Sequence, residues 1–150
     1  MTAIGMTGHQ GLTPETEALV VRAIADELRG VRDLVGVTSL AEGADQLFAE
    51  HVLAAGGRLV VILPAAYYIR TVSDNSVRER YQRLFDSATE VIHLPFETSS
   101  EDAYWAAGRV VVDRSDRLLA VLNGKLVGGL GGTANVVAYA REHARPTVVI

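Results

Sequence analysis

Residues 34–63, LVGVTSLAEGADQLFAEHVLAAGGRLVVIL, contain the pattern that decides the fold. Apolar runs at 34–39 and 59–63 flank a segment with helical periodicity at 43–55, which ends at Gly56 and Gly57. Both runs are continuously apolar rather than alternating, which is typical of strands buried on both faces of a parallel sheet. The stretch is therefore predicted to be a strand-helix-strand unit with parallel strands.

The same alternation extends from this unit towards both ends of the chain. Further strands are predicted at 3–7, 90–93, 117–122 and 146–150. The first helix is predicted to begin with Thr13 as N-cap and Pro14 as its first residue, and to bury a stripe of Leu19, Ala23, Ile24 and Leu28. Strands that alternate with helices predict one α/β domain over residues 1–150, a doubly wound, mostly parallel, Rossmann-like sheet with helices on both faces.

Three later helices are predicted with less definite boundaries. Ser76 is a candidate cap for a charged helix that runs through Ser87, and Ser99 or Ser100 could cap the next helix. The run 110–112 consists of three valines, for which propensity favours a strand and the preceding pattern favours a helix. A last helix is predicted from Thr133 to residue 143.

The composition excludes several classes of protein. The chain of 150 residues is 49% hydrophobic and 21% charged, which excludes an intrinsically disordered protein. It has no cysteine, which excludes disulfides and thiolate metal sites. The net charge of −4 argues against a protein that coats nucleic acid, and no apolar run is long enough to span a membrane. We therefore expect a cytoplasmic protein without a membrane partner.

Glycines between a strand and a helix form the strongest local signal for a binding site. The stretch 128–133, GGLGGT, precedes the last predicted helix. Glycines let backbone N–H groups approach a phosphate, and the amino end of a helix favours an anion. The stretch matches neither the Walker sequence nor G-x-G-x-x-G, and a flexible turn before the helix is the alternative interpretation.

Two other loops follow predicted strands and could contribute to the same site. The loop 39–45, SLAEGAD, has small residues that allow a ligand close to the backbone. Its Asp45 could bind a ribose hydroxyl or a base edge, or could only complement the dipole of its own helix. The loop after the first strand offers Gly8 and His9, although a single loop histidine is usually solvated.

Arg109 and Asp113 are four residues apart and would share a helix face. A simple ion pair between them is one interpretation. Arg109 could instead present its guanidinium to a phosphate bound at the glycine loop. No nucleophile elbow is present, and the histidines at 9, 51, 93 and 143 lack the spacing of metal ligands. No enzyme signature, cofactor motif or metal site is therefore predicted.

Three blocks of the sequence resemble the DprA/Smf- and LOG-related Rossmann-like superfamily, known as SLOG. The opening IGMTGHQGLTPET is similar to the family's first strand, glycine loop and Thr-Pro helix start. The block GVTSLAEGADQLFAEHVLAAGGRLVVILP resembles the SGLARGID block of the DNA-processing proteins. The blocks GRVVVDRSDRLLAVLNG and GGTANVVAYAREHARPTVVI resemble the arginine-bearing helix, ligand loop and closing helix-strand, whereas residues 65–107 match poorly.

The resemblance implies that residues 110–112 end a helix and that a nucleotide or another phosphorylated ligand binds at the carboxyl ends of the strands. The binding residues that it implies are Gly8, His9, Ser39, Ala41, Gly43, Asp45, Arg109, Gly131, Gly132 and Thr133. It also implies a sensor or carrier role in preference to two alternatives. One is LOG-like hydrolysis of a nucleotide N-glycosidic bond, which is in doubt because Ala134, Asn135 and Val136 replace acidic residues, leaving Glu42 and Asp45 as candidate catalysts.

The second alternative is DprA-like binding of single-stranded DNA, which the acidic composition disfavours. The aromatic residues Tyr67, Tyr68 and Trp105 are interpreted as exposed and, together with the family's habit of pairing, are consistent with a homodimer or a larger assembly, although single surface aromatics also occur on monomers. The expected partner is thus a small phosphorylated molecule, with nucleic acid a less favoured partner.

Overall fold

The computed structural model describes residues 1–8, 10–66, 75–122 and 132–150. Helices and strands alternate throughout these ranges, as the sequence predicts. In chain order they are β1 (Thr2–Gly8), α1 (Pro14–Leu28), β2 (Leu34–Thr38), α2 (Ala44–Ala54), β3 (Arg58–Leu63), α3 (Asn75–Asp86), β4 (Glu90–His93), α4 (Glu101–Asp113), β5 (Arg117–Val121), α5 (Thr133–Glu142) and β6 (Thr147–Val149).

The strands form one parallel sheet in the order β4-β3-β2-β1-β5-β6. The chain runs outward from β1 to β4 and then returns to the other side of β1 with β5. The predicted α/β, Rossmann-like class is therefore confirmed. The reversal of strand order places a crevice between the carboxyl ends of β1 and β5, which is where ligands bind in open α/β sheets.

Helices cover both faces of this sheet, and the alternation of side chains along the strands decides which face each helix covers. Ile4 and Met6 of β1 pack with α1 and α2, whereas Ala3 packs in the cluster of α4 and α5. In β3, Leu59 and Val61 pack against α3 on the same side as α1 and α2. Of the helices in the described ranges, three therefore cover one face of the sheet and two cover the other.

The helix starts follow from capping residues. Thr13 caps α1, because its hydroxyl accepts a hydrogen bond of 3.2 Å from the amide of Thr16, and Pro14 is the first helical residue. Of the two serine candidates for α4, Ser100 is the cap, since its hydroxyl accepts from the amide of Ala103 at 3.1 Å. The valine run 110–112 lies in the last turn of α4, where Val111 and Val112 are buried.

Two details of the sequence prediction are wrong. Leu19 is 65% exposed, and the buried stripe of α1 is Val20, Ile24 and Leu28. Positions four residues apart share one side of a helix, and Leu19 lies about 100° away from Val20 around the axis. Ser76 does not cap α3, because the helix begins at Asn75. None of the described helices is long and apolar enough to cross a membrane.

Candidate functional site

The candidate site lies at the crevice between the carboxyl ends of β1 and β5. Gly8, the last residue of β1, pairs in register with Val121, the last residue of β5. A Cβ atom at Gly8 would lie 2.7 Å from the Cβ of Ala44 and 3.0 Å from the Cβ of Val121. The absence of a side chain at Gly8 therefore lets the amino end of α2 pack directly against the end of β1.

The amino end of α5 lies on the other side of this crevice and follows β5. Its N-cap is Gly132, with φ −67° and ψ 161°, a residue that has no side chain with which to cap the helix. Thr133, the first helical residue, is buried. The first N–H groups of a helix have no intrahelical acceptor, so this end offers backbone donors. His9, Gly131 and the other residues of the predicted glycine loop before Gly132 lie outside the described part of the chain.

The first turn of α5 differs in charge from those of α1 and α4. The latter two helices each have a side-chain cap and two acidic residues in the first turn. The first turn of α5 has neither. Acidic residues and caps offset the positive end of a helix dipole, so α5 keeps its positive potential for another anion.

The loop between β2 and α2 folds around the side chain of Asp45. Its backbone takes left-handed values at Leu40, with φ 59°, and at Gly43, with φ 94°. The carboxylate Oδ2 of Asp45 accepts a hydrogen bond of 3.2 Å from the amide of Ala41. The hydroxyl of Thr38 and the backbone of Ser39 lie near this carboxyl group and lower its pKa. The predicted residues Ser39, Ala41, Gly43 and Asp45 are thus brought together, with Glu42 exposed on the same loop.

Asp45 is an unusual carboxyl group for the amino end of a helix. Its side chain is buried, and its Oδ1 atom has no hydrogen-bond partner among the described residues. Burial raises the pKa of Asp45 from 3.8 to about 7, although Ala41, Thr38 and Ser39 act in the opposite direction. Near neutral pH, Asp45 is therefore partly protonated and can donate or accept a proton.

The neighbouring Gln46 is a residue that the sequence did not indicate. Its side chain is 1% exposed, and its Nε2 atom donates to the carbonyl of Leu40 at 3.1 Å. Its Oε1 atom is buried without a partner among the described residues, as is Oδ1 of Asp45. The first turn of α2 therefore holds two buried oxygens that can accept hydrogen bonds.

Arg109 lies on α4, and its side chain is exposed. Its guanidinium carbon is 5.2 Å from the ring centroid of Trp105, one turn nearer to the start of the helix. Ion pairs of the described residues include no pair between Arg109 and Asp113. Instead, Asp113 accepts a hydrogen bond of 2.8 Å from the hydroxyl of Tyr139 on α5.

Helices α4 and α5 are in close contact near Arg109. A Cβ atom at Gly108 would lie 2.5 Å from a methyl carbon of Val136, which is three residues after Thr133. Both helices run antiparallel to the strands, so both begin at the carboxyl edge of the sheet. Arg109 therefore lies beside the early turns of α5. Trp105 is half-buried, with its ring edge-on to Tyr139 at 5.8 Å between centroids.

Among the described residues, no group of three or more histidine, aspartate or glutamate side chains is placed so that it could hold a metal ion. The groups that the site offers are backbone amides, one guanidinium and a buried carboxyl group. These groups can hold an anion at one end and a hydrogen-bond donor at the other.

No protein-family model matches the sequence, and none of the curated proteins matches it. Solved structures do match its fold. DNA processing protein A from Streptococcus pneumoniae superposes with a TM-score of 0.71 at 16% identity, covering 99% of this chain and 50% of that chain. The same protein from Helicobacter pylori, with a described single-stranded DNA binding mode, gives a TM-score of 0.70 at 18% identity, covering 99% and 64%.

A molybdenum cofactor binding protein from Rippkaea orientalis is also similar. Its TM-score is 0.60 at 22% identity, and the match covers 99% of this chain and 75% of that one. The chain therefore has the Rossmann-like fold of these proteins. It spans about half to two-thirds of the length of the two DNA processing proteins.

Proposed function

We propose that this SLOG-type domain binds a phosphorylated small molecule of the nucleotide class in the crevice between β1 and β5, as a sensor or carrier. The observation that carries the proposal is the amino end of α5, which starts at the crevice with Gly132 as its N-cap and has no acidic residue in its first turn. A phosphate there would accept hydrogen bonds from backbone N–H groups and interact favourably with the helix dipole.

The loop around Asp45 is suited to the other end of such a ligand. The buried oxygens Oδ1 of Asp45 and Oε1 of Gln46 accept hydrogen bonds and would repel a phosphate. A sugar hydroxyl or the amino group of a base would supply the missing donors. The amino end of α5 thus favours an anion, and the amino end of α2 favours a hydrogen-bond donor. A nucleoside phosphate has its anionic phosphate at one end and hydrogen-bond donors on its sugar and base.

The structural neighbours support a ligand-binding role and indicate the range of molecules to examine. One neighbour is described by its binding of single-stranded DNA, and another by its binding of the molybdenum cofactor. A screen by thermal shift should therefore include nucleoside phosphates, the matching nucleosides and a short oligothymidine at two salt concentrations. A ligand present at 100 times its Kd raises the unfolding free energy by about 2.7 kcal/mol. Binding that needs DNA and weakens steeply with salt would instead favour a nucleic-acid function.

Thr133→Pro is expected to weaken phosphate binding. Proline at the first helical position removes one N–H donor that the helix itself does not use. The residue before it, Gly132, already has φ −67° and ψ 161°, values that a residue preceding proline prefers. A charge-assisted hydrogen bond contributes about 1.5–3 kcal/mol, so the Kd for the best nucleoside phosphate should rise about 10- to 100-fold in calorimetric titrations.

Thr133→Val is the matched control, because it removes the hydroxyl as Thr133→Pro does but keeps the N–H group. The nucleoside without phosphate provides a second control and should bind both variants equally well. Equal affinity of the proline and valine variants for the phosphorylated ligand would contradict the proposed role of the amino end of α5.

A second candidate function is hydrolysis of a nucleotide N-glycosidic bond, which one observation favours. The pKa of Asp45, raised to about 7 by burial, suits a general acid near neutral pH. If this function is correct, prolonged incubation with nucleoside monophosphates should release free base, and Asp45→Asn should abolish the release. Chromatography measures the base, and binding without release would favour the sensor or carrier.

A further inference from the structure

The pairing of charges on α4 departs from what its sequence spacing predicts. Arg109 and Asp113 are placed four residues apart, a spacing that normally lets opposite charges pair on a helix. The structure instead gives each side chain another partner. Arg109 lies over the Trp105 ring, and Asp113 accepts from the Tyr139 hydroxyl.

Tyr139 holds Asp113 from a different helix. Its hydroxyl donates to Oδ1 of Asp113 over 2.8 Å, and this bond joins α5 to α4. Hydrogen bonding to Asp113 raises the pKa of the Tyr139 hydroxyl, with smaller opposing effects from Arg109 and Arg145. The ring of His143 also stacks on the ring of Tyr139, at 4.0 Å between centroids. Tyr139 is thus fixed by contacts along α5 as well as by Asp113.

Trp105 provides the surface on which Arg109 rests. The guanidinium lies 5.2 Å from the ring centroid, within the range of a cation–π interaction. Among the described residues, the N–H donors of Arg109 form no ion pair in addition to this contact. A guanidinium held in this way can bind a phosphate through two hydrogen bonds, and it loses little freedom on binding.

We infer that Tyr139 and Trp105 are positioning residues that keep the Arg109 guanidinium apart from Asp113 and available to the phosphate of the ligand. Tyr139 engages the carboxylate that would otherwise pair with Arg109, and Trp105 orients the guanidinium. The inference rests on the proposed function, because it assigns a phosphate as the anion that Arg109 receives. It adds two residues that do not themselves contact the ligand.

The first test needs no ligand and uses nitrogen NMR signals of the arginine side chains. Tyr139→Phe keeps the ring and its contacts with Trp105 and His143 but releases Asp113. The Nε–H signal of Arg109 should then shift as Asp113 pairs with it. Asp113→Asn in the Tyr139→Phe background should return the signal to its wild-type position. An unchanged Arg109 signal in Tyr139→Phe would overturn the inference.

The second test measures the affinity for inorganic phosphate by titration in a phosphate-free buffer. A carboxylate brought close to the bound anion repels it, so Tyr139→Phe should raise the Kd about fivefold. The double variant Tyr139→Phe/Asp113→Asn should restore the wild-type Kd, which a purely structural role of Tyr139 would not produce. Trp105→Leu should also raise the Kd for phosphate. Adding Asp113→Asn to Trp105→Leu should not restore the wild-type Kd.

The two tests separate the inference from the function on which it rests. If wild-type protein binds neither phosphate nor a nucleoside phosphate, the proposed function fails, and with it the assignment of a phosphate to Arg109. If Thr133→Pro weakens phosphate binding but Tyr139→Phe does not, the function stands and the positioning role is wrong. Recovery of both the NMR signal and the affinity in the double variant is the result expected.

Discussion

Phe48→Ala is expected to lower the free energy of unfolding by about 3–5 kcal/mol. Phe48 lies on α2 and is fully buried among residues of α1, α2 and the strands. Its ring fits against the backbone of β2, since a Cβ atom at Gly36 would lie 3.1 Å from it. Truncation leaves a cavity that the rigid parallel strands cannot close. Urea unfolding followed by circular dichroism measures the change.

Leu19→Ala provides the control for the Phe48 experiment. Leu19 is also a large apolar residue on a helix, but its side chain is 65% exposed. Its replacement should change the unfolding free energy by less than about 0.5 kcal/mol. A loss at Leu19 as large as that at Phe48 would show that the buried face of α1 has been assigned incorrectly.

Asp45 is expected to make the protein less stable as the pH rises from about 4 to about 7. The ordinary pKa of an aspartate, which applies to the unfolded chain, is 3.8, and burial raises the pKa of Asp45 to about 7 in the folded protein. Between these values, the folded state keeps a proton that the unfolded state has lost, so the unfolding free energy falls with increasing pH. The contribution of Asp45 to the unfolding free energy is fully present below pH 3.8 and is lost above a pH of about 7. The unfolding free energy is thus about 4 kcal/mol lower above pH 7 than below pH 3.8.

Asp45→Asn removes this titration, so the experiment compares wild type with the variant across that pH range. The stability of the wild type relative to the variant should fall by about 4 kcal/mol from pH 4 to pH 7.5. Glu42→Gln, at an exposed position of the same loop, is the control for loss of a carboxylate. A difference between wild type and Asp45→Asn that stays constant with pH would mean that burial does not perturb the carboxyl group.

A buried carboxyl oxygen without a partner among the described residues is costly for the fold, which supports a role of Asp45 in binding. Oδ1 of Asp45 has no partner among the described residues. A ligand that donates to this atom would recover part of the lost free energy. Ligand binding at this position should therefore be accompanied by a change in the proton uptake of the protein.

The fold could be predicted from the sequence because its signals are local and agree with one another. Continuous apolar strands, the N-cap Thr13 and the two glycines after α2 indicate element type and boundaries within a few residues. The errors also have local causes. Leu19 is adjacent to the true stripe residue Val20, and Ser76 lies one residue inside its helix. Periodicity in a short segment does not determine such one-residue offsets.

The arrangement of the candidate site was harder to predict from the sequence than the fold, because it depends on contacts between residues that are distant in the sequence. The resemblance of the block around Asp45 to SGLARGID implies that Asp45 contributes to a binding site, but not that its carboxyl group is buried at the start of α2. The expected alternative for Arg109, an ion pair with Asp113, does not form because Tyr139 binds Asp113. The sequence pattern favours an exposed Trp105, whereas its half-buried position against Tyr139 depends on how α4 and α5 pack.

The reversal of strand order also bears on how a signal could leave this domain. The two sides of the crevice are formed by segments from the beginning of the chain and from its last third. These segments are far apart in the sequence although they are adjacent in the fold. A molecule bound in the crevice would contact both segments and stabilise their arrangement. The amides of β1 and β5 should therefore exchange with deuterium more slowly when this molecule is bound. Ligand binding would thereby stiffen the central strands, a change that deuterium exchange measures at amides that do not contact the ligand.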